Sequence, residues 1–272
     1  MEPEKIMTLE GNVKYRLAVS LISLNQVHHI RRLLPTIVEN TKDINCQILL
    51  VANRCEDETI EFVRGSFPQV DILINEKVTG YGGNHNLNLE RCNSEYFAIM
   101  NSDMLVRPGT FSSMIDFLEA NASAGLIAPK VLNEDGTIQY LNKRYPAIFD
   151  LFLRKFCPAR LQRFFKKRMD AYEMKDIDYN SIAEVPLLSG SFILGRTEQL
   201  RRLKGFDEHF FLYFEDYDLC RRFQKEGMKT IFVPEAEVVH FWERSAHKSW
   251  KFAAMFISSA IKYFNRWGWK VF

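Results

Sequence analysis

The sequence predicts an α/β protein: a mostly parallel sheet flanked by helices, with a helical insertion and an aromatic, basic helical segment at the C-terminal end. Three observations predict it. Near-continuous apolar runs of strand length recur along the chain, as strands covered on both faces require. Between them apolar residues return at helical spacing, with charges on the other side. The two kinds of segment alternate, which implies right-handed β-α-β crossovers.

The elements follow in order. Residues 15–25 (YRLAVSLISLN) read as a first strand, and Val27, Ile30, Leu33, Leu34, Ile37 and Val38 as the apolar face of its covering helix. QILLVA (47–52) is the next strand, followed by a helix through Ile60, Phe62 and Val63, and a short strand over 70–74. A helix through Leu87, Leu89 and Cys92 precedes the apolar run Tyr96–Met100. Pro108 opens a helix carrying Phe111, Met114, Ile115, Phe117 and Leu118; residues 125–129 form a strand, and Asp135-Gly136 is a hairpin turn. Strand character returns at 186–195, at 229–233 and again before His240. Such a sheet is by default a nucleotide-binding architecture, although the architecture alone names no ligand.

Composition narrows the function. The chain has 272 residues, 47% of them hydrophobic, enough for a substantial core. Its 36 basic and 34 acidic residues leave a net charge of +2, which gives no reason to expect nucleic acid. Five scattered cysteines, none in a Cys-x-x-Cys pair, argue against zinc ribbons and disulfide frameworks and suit reduced thiols in the cytoplasm. The first fourteen residues lack the apolar core of a secretory signal, and no apolar run is long enough to span a bilayer, so the expectation is a soluble or peripheral protein.

The candidate site residues lie where strands end. Tyr96–Met100 stops abruptly at Asn101-Ser102-Asp103, releasing a carboxylate where open α/β sheets gather ligands; the alternative is a plain turn. Gly80-Tyr81-Gly82-Gly83-Asn84-His85-Asn86 is either a loop that lets a diphosphate approach backbone N–H groups or a tight turn, and it is neither a Walker loop nor Gly-x-Gly-x-x-Gly. Residues 147–184 interleave phenylalanines and leucines with lysines and arginines, as a helical insertion packed on the domain does, or one lying in a membrane interface. Glu215, Asp216 and Asp218 crowd together beside aromatics; such a cluster needs relief by a metal, a cation or a shared proton, or marks an acidic helix start. The segment 246–272 is a docked helix or an interfacial anchor, its tryptophans favouring the anchor.

In this order the segments resemble the inverting family-2 glycosyltransferases with the A-type fold, especially the rhamnosyltransferase-like branch that builds bacterial surface polysaccharides. The resemblance runs from about Val19 to Ser245, and its most specific piece is GFDEHFFLYFEDYDLCRR at 205–222. It implies a catalytic domain over 15–245 containing the 147–184 insertion on the acceptor and membrane side. Asp103 then matches the carboxylate that holds Mg2+ or Mn2+ on the donor diphosphate, with Ser102 beside it and His240 completing the metal site. Asn25, Asn53 and Asp57 match the nucleoside pocket, Gly80, Gly82, Gly83 and Asn86 the loop near the donor, and Asp216 the catalytic base with Glu215 beside it. Three departures stand out: Ala52 replaces the usual aspartate of a Val-Asp-Asn segment associated with base recognition, Cys55 replaces the usual serine, and the metal motif retains one aspartate.

The implied activity is transfer of a sugar, with inversion, from a nucleoside diphosphate donor such as dTDP-rhamnose or a UDP-sugar to a saccharide, lipid-linked, at the inner face of the plasma membrane. A sugar-phosphate nucleotidyltransferase would share the sheet but needs a glycine-rich basic loop after the first strand, and Leu24-Asn25-Gln26-Val27 is none. A non-catalytic nucleotide-sugar binder or scaffold is the remaining alternative, favoured by Ala52 and the single aspartate.

Overall fold

A computed structural model describes residues 14–241 and 250–272; the expected boundary between 245 and 246 lies outside the described residues. In chain order the elements are β1 (Tyr15–Ser23), α1 (Val27–Asn40), β2 (Cys46–Asn53), α2 (Thr59–Ser66), β3 (Val70–Asn75), α3 (Tyr81–Arg91), β4 (Ser94–Met100), β5 (Met104–Val106), α4 (Thr110–Ala120) and β6 (Ala124–Leu132). There follow α5 (Ile148–Phe156), α6 (Ala159–Gln162), a 3-10 turn, α7 (Lys166–Tyr172), β7 (Ala183–Glu184), β8 (Phe192–Arg196), α8 (Thr197–Arg202), α9 (Glu215–Lys225), β9 (Lys229–His240) and α10 (Trp250–Trp267). One sheet runs β3-β2-β1-β4-β8-β6-β9-β5, with β7 paired to β9. The half built from β3, β2, β1 and β4 is parallel, and β8 enters antiparallel between β4 and β6.

Period-two alternation divides the core. Leu17, Val19, Leu21, Ile48, Leu50, Tyr96, Ala98 and Met100 face α1, α2 and α4 on one side. Ala18, Leu49, Phe97 and Ile99 face α8, α9 and the end of α3 on the other. Both faces are covered, which is why the strands read as continuous apolar runs. A third cluster packs α5, α7 and α10 around Phe210 and Phe214, so the insertion and the C-terminal helix are docked on the domain, not held away from it.

Two details differ from the sequence reading. The runs 229–233 and 237–240 join in one bulged strand, β9, because both halves pair with β6. The helix after β3 starts at Tyr81, so the glycine run is its first turn.

Candidate active site

The acid that ends β4 is fixed by a cross-strand pair. Met104 sits opposite His240, and the Phe241 N–H donates to the Asp103 carbonyl (2.8 Å), which brings the Asp103 Oδ1 to 3.2 Å from His240 Nε2. Gln139 clamps the histidine at two points. Its Nε2 donates to the His240 carbonyl (2.9 Å), so its Oε1 accepts from Nδ1–H (2.9 Å). With Nδ1 so engaged, Nε2 is turned toward Asp103, and this buried nitrogen has no hydrogen-bond partner. At 3.2 Å the carboxylate and the ring nitrogen are placed to share a proton or, with the ring neutral, a cation. Burial raises the Asp103 carboxyl, but His240 outweighs it and holds the group below its ordinary value. An imidazole nitrogen and a carboxylate oxygen suit Mn2+ or Mg2+ completed by substrate phosphate and water. Among the described residues no group of three such side chains gathers.

The second acid pair opens α9. Tyr213 (φ 71°) and Phe214 (φ 67°) are both left-handed, a costly conformation for large side chains, and it turns Glu215 and Asp216 into a cavity of about 200 Å3. Leu151, Arg154, Tyr172, Tyr213 and Phe256 form its aromatic and basic walls, with Lys143 and Ser189. The Asp216 Oδ2 accepts from Gly190 N–H (2.8 Å) and its Oδ1 from Tyr217 N–H (2.8 Å), whereas Glu215 Oε2 is buried without a partner. Burial, then the charge of Asp216, pushes Glu215 well above its ordinary value; burial also raises Asp216, against the two N–H bonds and Arg154. Of the two, Glu215 is raised the further, while Asp216 is the one held by backbone N–H donors.

Tyr81 joins the two halves. Its hydroxyl lies 3.0 Å from Asn101 Oδ1 and 2.6 Å from the Gly190 carbonyl, while Asn101 N–H donates to the Ser191 carbonyl (2.9 Å). Burial first, then Glu215, Asp216 and Asp103, raises the Tyr81 phenol well above its ordinary value, so it stays a neutral donor. Residues 103 and 216 thus flank one tyrosine at one edge of the sheet.

The other predicted residues fall into three groups. Asn25 (φ 56°) accepts Glu56 N–H (2.6 Å) and Asp57 N–H (3.2 Å), and Asp57 accepts Val27 N–H (2.9 Å), which ties the loops after β1 and β2 together. Burial opposes but does not overcome the hydrogen bonds that keep Asp57 below its ordinary value. Asn53 donates to the carbonyls of Asn75 and Lys77 and accepts from Asn84, so its amide is fully engaged one strand away; Ser102 donates to Gln26 Oε1 (2.8 Å).

The glycine loop is packed closely on its Cα side. A Cβ on Gly80 would lie 2.3 Å from the Phe211 carbonyl oxygen, on Gly82 2.5 Å from Phe206 Cβ and on Gly83 2.7 Å from Thr79 Cγ2, so the missing side chains make room for protein neighbours. Asn86 likewise exchanges two 2.9 Å bonds with the Phe206 backbone and donates to Glu208, leaving no donor for a ligand. Together they hold the 205–211 arm that leads into α9. Ala52 is fully buried between Ser23 and Ile74 and offers no contact to a base.

Asp218 also leaves the acid cluster. It is fully buried and bonds Arg222, Arg266 and Trp267, so it latches α10 to α9. Sequence reasoning missed Gln139 and Lys143. Lys143 is buried with its ammonium on the carbonyls of Tyr140 and Asn142, and burial lowers it to about 7. A glutamine carries no chemical signature in sequence, and a lysine in Leu141-Asn142-Lys143-Arg144 reads as surface; only the Asp218–Arg222 spacing of four was legible.

Solved structures share this architecture. GalNAc-T7 with UDP, GalNAc and Mn2+ aligns at TM-score 0.64 and 12% identity, over 85% of this chain and 44% of that one. The mannosyltransferase PcManGT from Pyrobaculum calidifontis with GDP-Man and Mn2+ aligns at 0.63 and 17%, over 93% and 65%. The chain thus spans less than two thirds of either. The fold is that of the A-type glycosyltransferases. The chain belongs to the glycosyltransferase-like family 2, whose model matches residues 16–267. Among its relatives are the N-acetylglucosaminyl-diphospho-decaprenol L-rhamnosyltransferase of Mycobacterium tuberculosis, 26% identical over 82% of this chain and 75% of its own, and rhamnosyltransferase WbbL of Escherichia coli K12, 24% identical over 82% of each. These relatives agree with the branch that the 205–222 run resembles.

Proposed function

We propose that the protein transfers one sugar, with inversion, from a nucleoside diphosphate donor to a lipid-linked saccharide at the inner face of a membrane, in surface polysaccharide synthesis. The observation that carries this reading is the Asn101–Tyr81–Gly190–Asp216 bridge, which sets a carboxylate and a metal-fitting pair on one edge. The relatives' names favour an activated rhamnose as donor. Asp103 and His240 would hold Mg2+ or Mn2+, which when bound offsets the charge that gathers on the leaving diphosphate.

The chain's own residues divide the remaining work. Asp216 takes the proton of the acceptor hydroxyl as its oxygen bonds to the anomeric carbon and the bond to the diphosphate oxygen breaks on the opposite face. Gly190 N–H and Tyr217 N–H aim that carboxylate. Glu215, its carboxyl pushed well above the ordinary value by burial and by Asp216, stands beside it. The aromatic walls of the cavity, Tyr213, Tyr172 and Phe256, suit the apolar face of a sugar ring.

The test is release of nucleoside diphosphate from a panel of sugar nucleotides, dTDP-rhamnose first, with Mn2+ or Mg2+ and a polyprenyl-diphosphate saccharide. Turnover of at least one donor is expected. Donor binding by calorimetry with no turnover in the presence of the acceptor would overturn this reading in favour of a nucleotide-sugar scaffold, to which the buried Ala52 would then point.

A further inference from the structure

The two helices that wall the cavity each carry a second, outward apolar stripe. On α5, Leu151 and Arg154 face the cavity, while Phe152 and Phe156, one turn apart with ring centroids at 6.3 Å, are about half exposed. On α10, Phe256 faces the cavity, while Trp250, Ile257 and Ile261, at helical spacing, are exposed. Lys155, lying over both Tyr213 and Phe256, connects the helices. In the short helical pieces after α5, Leu161 and Phe164 are exposed as well, the latter 84%.

Charge accompanies these rings. Residues 148–168 contain seven lysines and arginines against one acid, in a chain whose net charge is only +2. That acid, Asp150, is buried and bonded to Arg168. Arg160, Arg163 and Lys167 are exposed around Phe164. A face so basic repels a second copy of itself, and large exposed rings without a compensating contact are disfavoured in water. Cationic heads at the level of lipid phosphates, with rings one layer deeper, satisfy both groups at once. No helix of the described residues is long and apolar enough to cross a bilayer, so contact of this kind is confined to the interface.

We propose that α5 and residues 160–167 form a docking face for an anionic bilayer, with Phe152, Phe156 and Phe164 entering the acyl boundary and Arg160, Arg163 and Lys167 on headgroup phosphates. α5 also walls the Glu215/Asp216 cavity through Leu151 and Arg154, so docking brings a lipid-borne acceptor to it; only this last clause rests on the proposed function.

The experiment is vesicle flotation of the full chain with phosphatidylcholine alone and with phosphatidylcholine mixed with phosphatidylglycerol, at low and high salt. Wild type should favour the mixed vesicles by about tenfold or more and lose that preference as salt rises. A triple variant Phe152→Ser, Phe156→Ser, Phe164→Ser and a second, Arg160→Glu, Arg163→Glu, Lys167→Glu, should each bind at least about tenfold less, with unchanged melting temperature and unchanged turnover of a short water-soluble acceptor. Equal binding to both vesicle types, or variants that bind like wild type, overturns the proposal. So does sedimentation showing a dimer that the phenylalanine variant dissolves, since the face then belongs to self-association. Loss of vesicle binding with turnover intact leaves the enzyme reading standing; vesicle binding without turnover leaves the docking face standing.

Discussion

Asp216→Asn tests the site most sharply. The substitution keeps the shape and removes the charge. Asp216 accepts Gly190 N–H and Tyr217 N–H, one on each oxygen. An asparagine retains one acceptor, so one N–H loses its partner, a cost of roughly 1–3 kcal/mol. Removing a carboxylate held against Glu215 in a buried site returns part of that, and net stability should change by no more than about 2 kcal/mol. The chemistry suffers far more. A lost general base costs roughly two to four orders of magnitude, about 3–5 kcal/mol in the barrier. Release of nucleoside diphosphate under saturating donor and acceptor measures kcat, and calorimetry measures donor affinity. The expected result is a fall in kcat of about a hundredfold or more with donor affinity within about threefold. A folded variant that turns over within about threefold of wild type would refute the assignment.

Other outcomes follow from the same geometry. Asp103→Ala should abolish Mn2+ binding measured by electron paramagnetic resonance, while Gln139→Leu, which frees the His240 ring to change tautomer, should weaken it roughly 10–100-fold. Lys143→Met should flatten the pH dependence of stability. With its folded value lowered to about 7 from an ordinary 10.5, Lys143 contributes stability that is full above 10.5 and lost as pH falls toward 7, and urea midpoints across that range read it directly. Asp218→Ala leaves Arg222 and Arg266 without their shared buried carboxylate and should cost about 3–5 kcal/mol in denaturant unfolding.

Much of the fold was legible because burial on both faces writes itself into composition: Leu17–Leu21, Ile48–Val51 and Tyr96–Met100 could be little else but inner strands. Asp103 stood out because it ends such a strand, and the acid pair because like charges side by side need an explanation. The glycines were ambiguous for a physical reason: removing a Cβ admits any neighbour, and the sequence does not show that Phe206 and Phe211 fill that side. The tryptophans of the last helix carried the same ambiguity, since an indole at a protein seam and one at a lipid seam look alike. Trp267 faces Asp218, whereas Trp250 faces solvent. Gln139 could not be found at all, because its role depends on His240, 101 residues away, and on nothing nearby.

The left-handed pair at Tyr213 and Phe214 sets this enzyme against itself. Each such residue holds roughly 1–3 kcal/mol of backbone strain, kept because the surroundings permit no other path into α9. Asparagine or glycine at the half-exposed position 213 would relax the turn and harden the protein against heat while letting the Asp216 carboxylate drift from its place. A breeding programme that rewards only survival at high temperature would gather changes there and harvest sturdy, idle molecules.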